Sequence, residues 1–268
     1  MMNFLCPHTN HKLEIWQFSD NFLIEPKLRI LYYTKWRPLL YDDNYFLDEY
    51  KKTYGKTYLE DEPNIRILAK KRLQFLKPYL THHTSLLEIG CATGFFLDEA
   101  KKYFKLLKGI EISSFASEYA KNKFLLDVEC CNLMDFIKYN NNKFDVIATF
   151  YVIEHFKEQK EIFNFISNTL KPKGLWICSI PSTNGPFFMH HKEEWIKTHP
   201  EDHFVDYNPY AIKKILMLYG LKLLFIKPAS YHQQRNKGIL KKIPFSLYKL
   251  YCDMFTFGDT IEFIAIKI

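Results

Sequence analysis

Short apolar runs separated by amphipathic stretches organise this chain from about residue 60 onward. Residues 63–79 place Ile65, Ile67, Leu68, Leu73, Phe75 and Leu76 at roughly helical spacing, which predicts a helix. Runs at about 85–89, 107–112, 127–131, 144–150 and 174–180 read as strands. Segments near 95–104, 114–123, 157–169 and 209–219 read as helices. Strands and helices in alternation predict a doubly wound, mostly parallel α/β sheet. Two late runs, 221–227 and 260–268, add strands. Residues 1–58 read as an irregular, aromatic-rich N-terminal extension, with a turn at Tyr41-Asp42-Asp43-Asn44 before a short helix near 45–52. The stretch 229–259 is longer than a hairpin needs and mixes Ile239, Phe245, Leu247, Leu250, Met254 and Phe255 with Lys237, Lys241, Lys242 and Lys249. It reads as an amphipathic insertion with Pro244 at the start of its helix. Such a segment caps a core, pairs with a second copy or touches lipid.

The most specific chemistry lies in Ser85-Leu86-Leu87-Glu88-Ile89-Gly90-Cys91-Ala92-Thr93-Gly94-Phe95, a strand, a glycine turn and a helix start. Gly90 permits a tight turn, small Ala92 lets a ligand near the backbone, and Gly94 stands where the next helix offers free N–H groups. The dinucleotide pattern G-x-G-x-x-G fails because Ala92 and bulky Phe95 stand at its later glycine positions. A Walker loop fails because no Gly-Lys-Ser/Thr follows. What remains is E-x-G-x-x-x-G. Its Glu88 discourages a pyrophosphate and suits a ligand with positive charge, such as S-adenosylmethionine. Glu111 ends the next strand, where a carboxylate can accept from both ribose hydroxyls.

From these residues onward the chain resembles the class I S-adenosylmethionine-dependent methyltransferases, in particular the bacterial group of type 23 methyltransferase domains. The resemblance covers roughly residues 60–230 and extends to Phe144–Phe156, which carries a strand and an Ile-Glu-His signature, and to Leu170-Lys171-Pro172-Lys173-Gly174, similar to the family's "LKPGG" turn. It implies a seven-stranded sheet with the last strand antiparallel, and a catalytic domain over 59–268. It also implies a cofactor site of Glu88, Gly90, Cys91, Ala92, Gly94, Glu111, Ile112, Asn132, Leu133 and Phe150. Asn132 and Leu133 either meet the adenine or merely turn the chain. On the acceptor side it points to His155, Asp202 and His203. In sugar C-methyltransferases a Glu-His pair at the position of Asp202-His203 serves in base catalysis; the alternatives are that His155 orients its loop and that His203 caps the helix at 209–219. His190 and His191 fall on the same side.

In quinone-pathway relatives an acid three residues before the Glu-His pair helps bind magnesium. Here Tyr151 stands there, so no metal is expected. Cys6, His8 and His11 have the spacing of half a zinc site without a second pair, so the extension reads as a lid or a degenerate zinc module. The other cysteines form no C-x-x-C pair and read as free thiols.

The chain has 268 residues, enough for one α/β core, and a net charge of +7 from lysines dispersed along its length. No dense basic block, Asn/Asp-Pro-Pro-aromatic motif after the 144–150 strand, or cysteine triad is present, which argues against nucleic-acid substrates and radical chemistry. Neither a membrane-spanning run nor a signal segment at Met1–Pro7 is expected, which places the protein in the cytoplasm by default. The expected activity is O-methylation of a small-molecule or saccharide-type acceptor, by a monomer or homodimer. The alternatives are a non-catalytic cofactor-binding regulatory or scaffold protein, and a lipid or quinone methyltransferase at a membrane surface.

Overall fold

Ser85–Ile89 is buried at every position, the signature of a strand covered on both faces, and it sits inside a seven-stranded sheet. The computed structural model describes residues 4–39, 45–81 and 84–268, without the side chains of Glu49, Thr53 and Tyr54. The expected turn at 41–44 and the first three residues lie outside them. The strands are β1 (Glu14–Trp16), β2 (Ser19–Glu25), β3 (Ile30–Tyr33), β4 (Ser85–Ile89), β5 (Leu106–Glu111), β6 (Val128–Cys130), β7 (Phe144–Phe150), β8 (Leu170–Pro181), β9 (Val205–Asp206), β10 (Leu221–Pro228) and β11 (Thr260–Lys267). The helices are α1 (Tyr50–Tyr54), α2 (Glu62–Leu76), α3 (Phe95–Ala100), α4 (Ser114–Phe124), α5 (Leu133–Tyr139), α6 (Gln159–Thr169), α7 (Pro186–His190), α8 (Lys192–Lys197), α9 (Pro209–Leu218) and α10 (Phe245–Phe255).

The large sheet runs β10-β11-β8-β7-β4-β5-β6. β4 is parallel to β5 and β7, and β5 to β6, while β10 and β11 pair antiparallel, as expected. The register sets Glu88 beside Gly109 on one side and Ala148 on the other. No described helix is long and apolar enough to cross a membrane.

The chain divides into two compact units. Leu40–Thr149 with Asn168–Ile177 forms one. There Asp145 Oδ2 accepts from Thr84 N, Ser85 N and Ser85 Oγ and pairs with Lys171 Nζ at 2.9 Å, which fixes the entry to β4. Ser113 caps α4 through Ala116 N, and Asn132 caps α5 through Met134 N.

Met1–Leu39, Phe150–Ser167 and Cys178–Ile268 form the other unit. Here the structure corrects the reading of the N-terminus as irregular: β1, β2, β3 and β9 make a four-stranded antiparallel sheet. Trp16, Phe22 and Leu31 bury one face of it against Phe188. Its turns carry no glycine; Arg29 takes the left-handed conformation instead, at φ +57°. Cys6, His8 and His11 have separate partners. Cys6 Sγ lies 3.2 Å from the Tyr32 hydroxyl, His8 bridges the Tyr207 and Tyr219 hydroxyls, and His11 pairs with Glu25. Burial pushes His8 down to about 3, so this imidazole is a neutral internal bridge.

Candidate functional site

In the first unit the glycine loop and Glu111, both expected at the cofactor, come together. β4 delivers Glu88 and Gly90, and the loop doubles back so that Gly90 N and Cys91 N donate to Ile110 O at 2.8 and 3.1 Å. Gly90, Ala92 and Gly94 all have positive φ. At Gly94, φ is +82° and a Cβ would lie 2.7 Å from Leu126 Cδ1 and 2.9 Å from Ala120 Cβ, so only glycine fits. Gly109 on β5 has a related cause that the sequence reading missed: a Cβ there would lie 2.6 Å from Cys91 Sγ.

Glu111 organises the loop. Its Oε2 accepts from Ala92 N at 2.8 Å and its Oε1 from Ser113 N at 2.9 Å. Burial raises its carboxyl above the usual range, against the pull of those N–H groups. Each carboxylate oxygen has a second lone pair, so acceptor capacity remains for a diol. Cys131 N donates to Glu111 O, bringing the start of α5 to the same place, and Ile112 is half exposed beside it. Asn132 Oδ1 caps α5 and Leu133 is buried. In the other unit, Phe150 closes β7, and the next residue, Tyr151, takes φ +59° with its N–H on Ser179 O. A bulky residue in that conformation carries strain of about 1–3 kcal/mol, of the kind found at functional turns.

Glu88 is buried, and its Oε2 has no hydrogen-bond partner among the described residues, as is true of Thr93 Oγ1 in the same loop. Burial pushes the Glu88 carboxyl well above the usual range; Arg72 opposes this and Glu111 adds to it. A ligand bringing a cation and a hydrogen-bond donor would satisfy such a group, so the residues present fit S-adenosylmethionine. Tyr58, which the sequence reading passed over, stacks on Phe95 at 6.0 Å and 7°. Burial, then the charges of Glu88, Tyr50 and Glu111, push its phenol well above the usual range. Phe46 and Tyr50 pack on its ring, so residues 45–58 flank the loop with aromatic surface.

The second unit gathers the acceptor-side candidates. His155 Nδ1 lies 3.1 Å from Asp202 Oδ2, and His155 meets His203 edge-to-face at 4.8 Å. Trp36 Nε1 donates to both His155 O and Asp202 O, clamping the two segments, and Phe204 N donates to Glu154 O. Gln159 Nε2 holds the turn by donating to Ile153 O and Phe156 O. His190 and His191 stand apart from this group; His191 Nε2 bonds Arg235 O. His199 was missed. It is buried, pairs with Asp206 at 2.8 Å and meets His203 at 5.9 Å, and its i, i+4 spacing from His203 was the available signal.

The electrostatics divide this cluster. Burial, reinforced by His155, pushes His203 down to about 4, so it is neutral at physiological pH. Burial opposes protonation of His155 as well, but Asp202 and Glu154 outweigh it and raise the imidazole. Burial raises Glu154 to about 7, and neither of its oxygens has a hydrogen-bond partner among the described residues. Glu154, His155 and His203 bring ligand atoms within 4.8 Å of one another, as do His199, His203 and Asp206, so either trio has the donor types of a divalent-metal site.

The family model described as "Methyltransferase domain" matches residues 60–225. A search of curated proteins gave no match. Among solved structures, the chain is similar to a SAM-dependent methyltransferase from Archaeoglobus fulgidus, with 18% identity, TM-score 0.59, and coverage of 84% of this chain and 100% of the other. It is also similar to magnesium protoporphyrin IX methyltransferase from Synechocystis PCC 6803 with bound S-adenosylhomocysteine, at 13% identity, TM-score 0.57 and coverage of 84% and 97%. The [4+2]-cyclase SpnF shares the fold at 14% identity, TM-score 0.53 and coverage of 75% and 80%. These likenesses establish the fold, and the family match covers the glycine loop, Glu111 and the Glu154-His155 turn in one span. The chain therefore belongs to the methyltransferase domain family, the class I S-adenosylmethionine-dependent methyltransferases.

Proposed function

We propose that the protein methylates a hydroxyl of a small-molecule or saccharide-type acceptor, with His203 as the proton acceptor and Asp202–His155 as the pair that positions it. Bound S-adenosylmethionine supplies a sulfonium methyl for in-line displacement. What an alcohol acceptor further needs is a group that takes its proton. The observation that carries this reading is a neutral His203 packed edge-on against His155, which Asp202 anchors. Glu88 and Glu111 hold the cofactor in this reading, and no step is routed through a metal. His203→Asn is expected to lower the turnover of labelled methyl donor about a hundredfold or more while leaving S-adenosylhomocysteine affinity within about threefold. Equal loss of cofactor affinity would make His203 structural. Wild-type binding without turnover across a broad acceptor panel would favour the regulatory or scaffold alternative.

One observation favours a second reading, action at a membrane surface. Ile239, Phe245, Leu247, Leu250, Met254 and Phe255 are 54–75% exposed, with Lys237, Lys241, Lys242 and Lys249 interspersed. Tyr248 and Cys252 anchor the opposite face of α10. Co-sedimentation with anionic vesicles, lost in Leu250→Glu/Met254→Glu, supports it; sedimentation unchanged by that pair removes α10 as the anchor.

A further inference from the structure

We propose that the cleft bounded by β1–β3, α7, α8 and the start of α9 is a second binding site, one that takes an organic anion: a phosphate or carboxylate carried on an apolar ring. The cleft has a volume of about 480 Å³, within the range of small-molecule sites, and lies wholly inside one compact unit. Trp16 and Phe188 form its floor, their rings stacked at 5.7 Å and 14°. Phe18 stands exposed at the rim.

One cation lies over these rings and a second lines the cleft. Lys192 Nζ lies 4.1 Å from the Phe18 ring centre and 4.9 Å from that of Phe188. Arg29 lines the same space. Among the described residues neither cation has a carboxylate within ion-pair distance. The nearest acid to Arg29 in sequence, Glu25, is buried and engaged by His11 and Leu28 N. Burial, then the charge of Arg29, lowers Lys192 from its ordinary value, so the two cations feel each other.

The fold also holds Arg29 in place. Its left-handed backbone, φ +57°, is clasped by Asn208, whose Nδ2 donates to Leu28 O at 2.8 Å and Arg29 O at 3.2 Å. Two mutually repelling cations over apolar walls are stabilised by an anion, and the stacked rings favour an anion with an apolar body over a fully hydrated one. The same charges exclude a metal cation. This inference does not depend on methyl transfer.

The test is calorimetric titration of the full chain, without cofactor, with phenyl phosphate, benzoate, phenol and inorganic phosphate. Phenyl phosphate or benzoate should bind at least tenfold more tightly than phenol or inorganic phosphate, and the stronger of the two identifies the anionic group. Arg29→Gln/Lys192→Met alters surface side chains and should keep the urea midpoint while weakening that binding about tenfold to a hundredfold. The proposal is overturned if neither aromatic anion binds, if the double variant binds it unchanged, or if inorganic phosphate alone binds as tightly.

Discussion

Replacing Glu154 by Gln should stabilise the protein, and by an amount that depends on pH. The side chain is fully buried and both carboxylate oxygens lack hydrogen-bond partners among the described residues, so burial raises its carboxyl from 4.5 to about 7. An unfolded chain ionises this group above its ordinary value; the folded chain keeps it protonated until about pH 7. Between those values the folded state binds more protons, so its stability falls as pH rises. At about 1.4 kcal/mol per tenfold, the shift is worth roughly 3 kcal/mol. Gln keeps the shape and cannot ionise. Both proteins retain His155 and His203, so subtracting one urea titration from the other leaves the Glu154 titration together with its coupling to His155. With EDTA present, the advantage of Glu154→Gln should grow by roughly 3 kcal/mol from about pH 4.5 to above pH 7. A difference that stays flat with pH would refute the reasoning, and would mean that Glu154 finds solvent or a partner.

Gly94→Ala combines a left-handed backbone with contacts of 2.7 and 2.9 Å, and should cost about 2–3 kcal/mol in urea unfolding and abolish S-adenosylhomocysteine binding. Asp145→Asn should cost about 1–3 kcal/mol at neutral pH. Burial alone would raise the Asp145 carboxyl, but Lys171 and Ser85 hold it well below the carboxylate range, so its contribution is present at neutral pH and lost as pH falls below about 4. Unfolding curves of both proteins at neutral and acid pH check the sign. Because His203 is pushed down to about 4, the rate of methyl transfer should show no acid-side fall from His203 until well below pH 6; a fall centred near pH 6.5 that persists in Glu154→Gln would point to an ordinary, exposed histidine.

The parallel sheet was legible because strands buried on both faces read as continuous apolar runs: the 85–89 and 144–150 readings coincide with β4 and β7. β8 begins earlier than read, at Leu170: the expected turn at Lys171-Pro172-Lys173-Gly174 is present, with Lys173 in the left-handed conformation at φ +59°, but it lies within the strand instead of before it. The N-terminal sheet escaped because its turns use Gln17-Phe18 and Pro26–Arg29, without the Asn-Gly or Gly signals that mark hairpins. At the cofactor loop, the glycine spacing and the acids at 88 and 111 were visible, since a tight turn and a close approach restrict residue type. Tyr58 and His199 were not, because their roles arise from what chain remote in sequence packs against them: Phe95 for one, Phe22 and Tyr33 for the other. Asn132 shows the converse. An amide expected near adenine uses its Oδ1 to cap α5, a local need that sequence position alone did not separate from ligand binding.

The central claim is that the glycine loop and Glu111 hold S-adenosylmethionine. Titrating S-adenosylhomocysteine into the wild-type protein and into Glu111→Ala by calorimetry tests it most directly. The account predicts saturable one-site binding to the wild type and a loss of at least about tenfold in the variant, which forfeits the acceptor of Ala92 N as well as the ribose contact. Absence of binding by the folded wild type, or equal binding by both proteins, would contradict it.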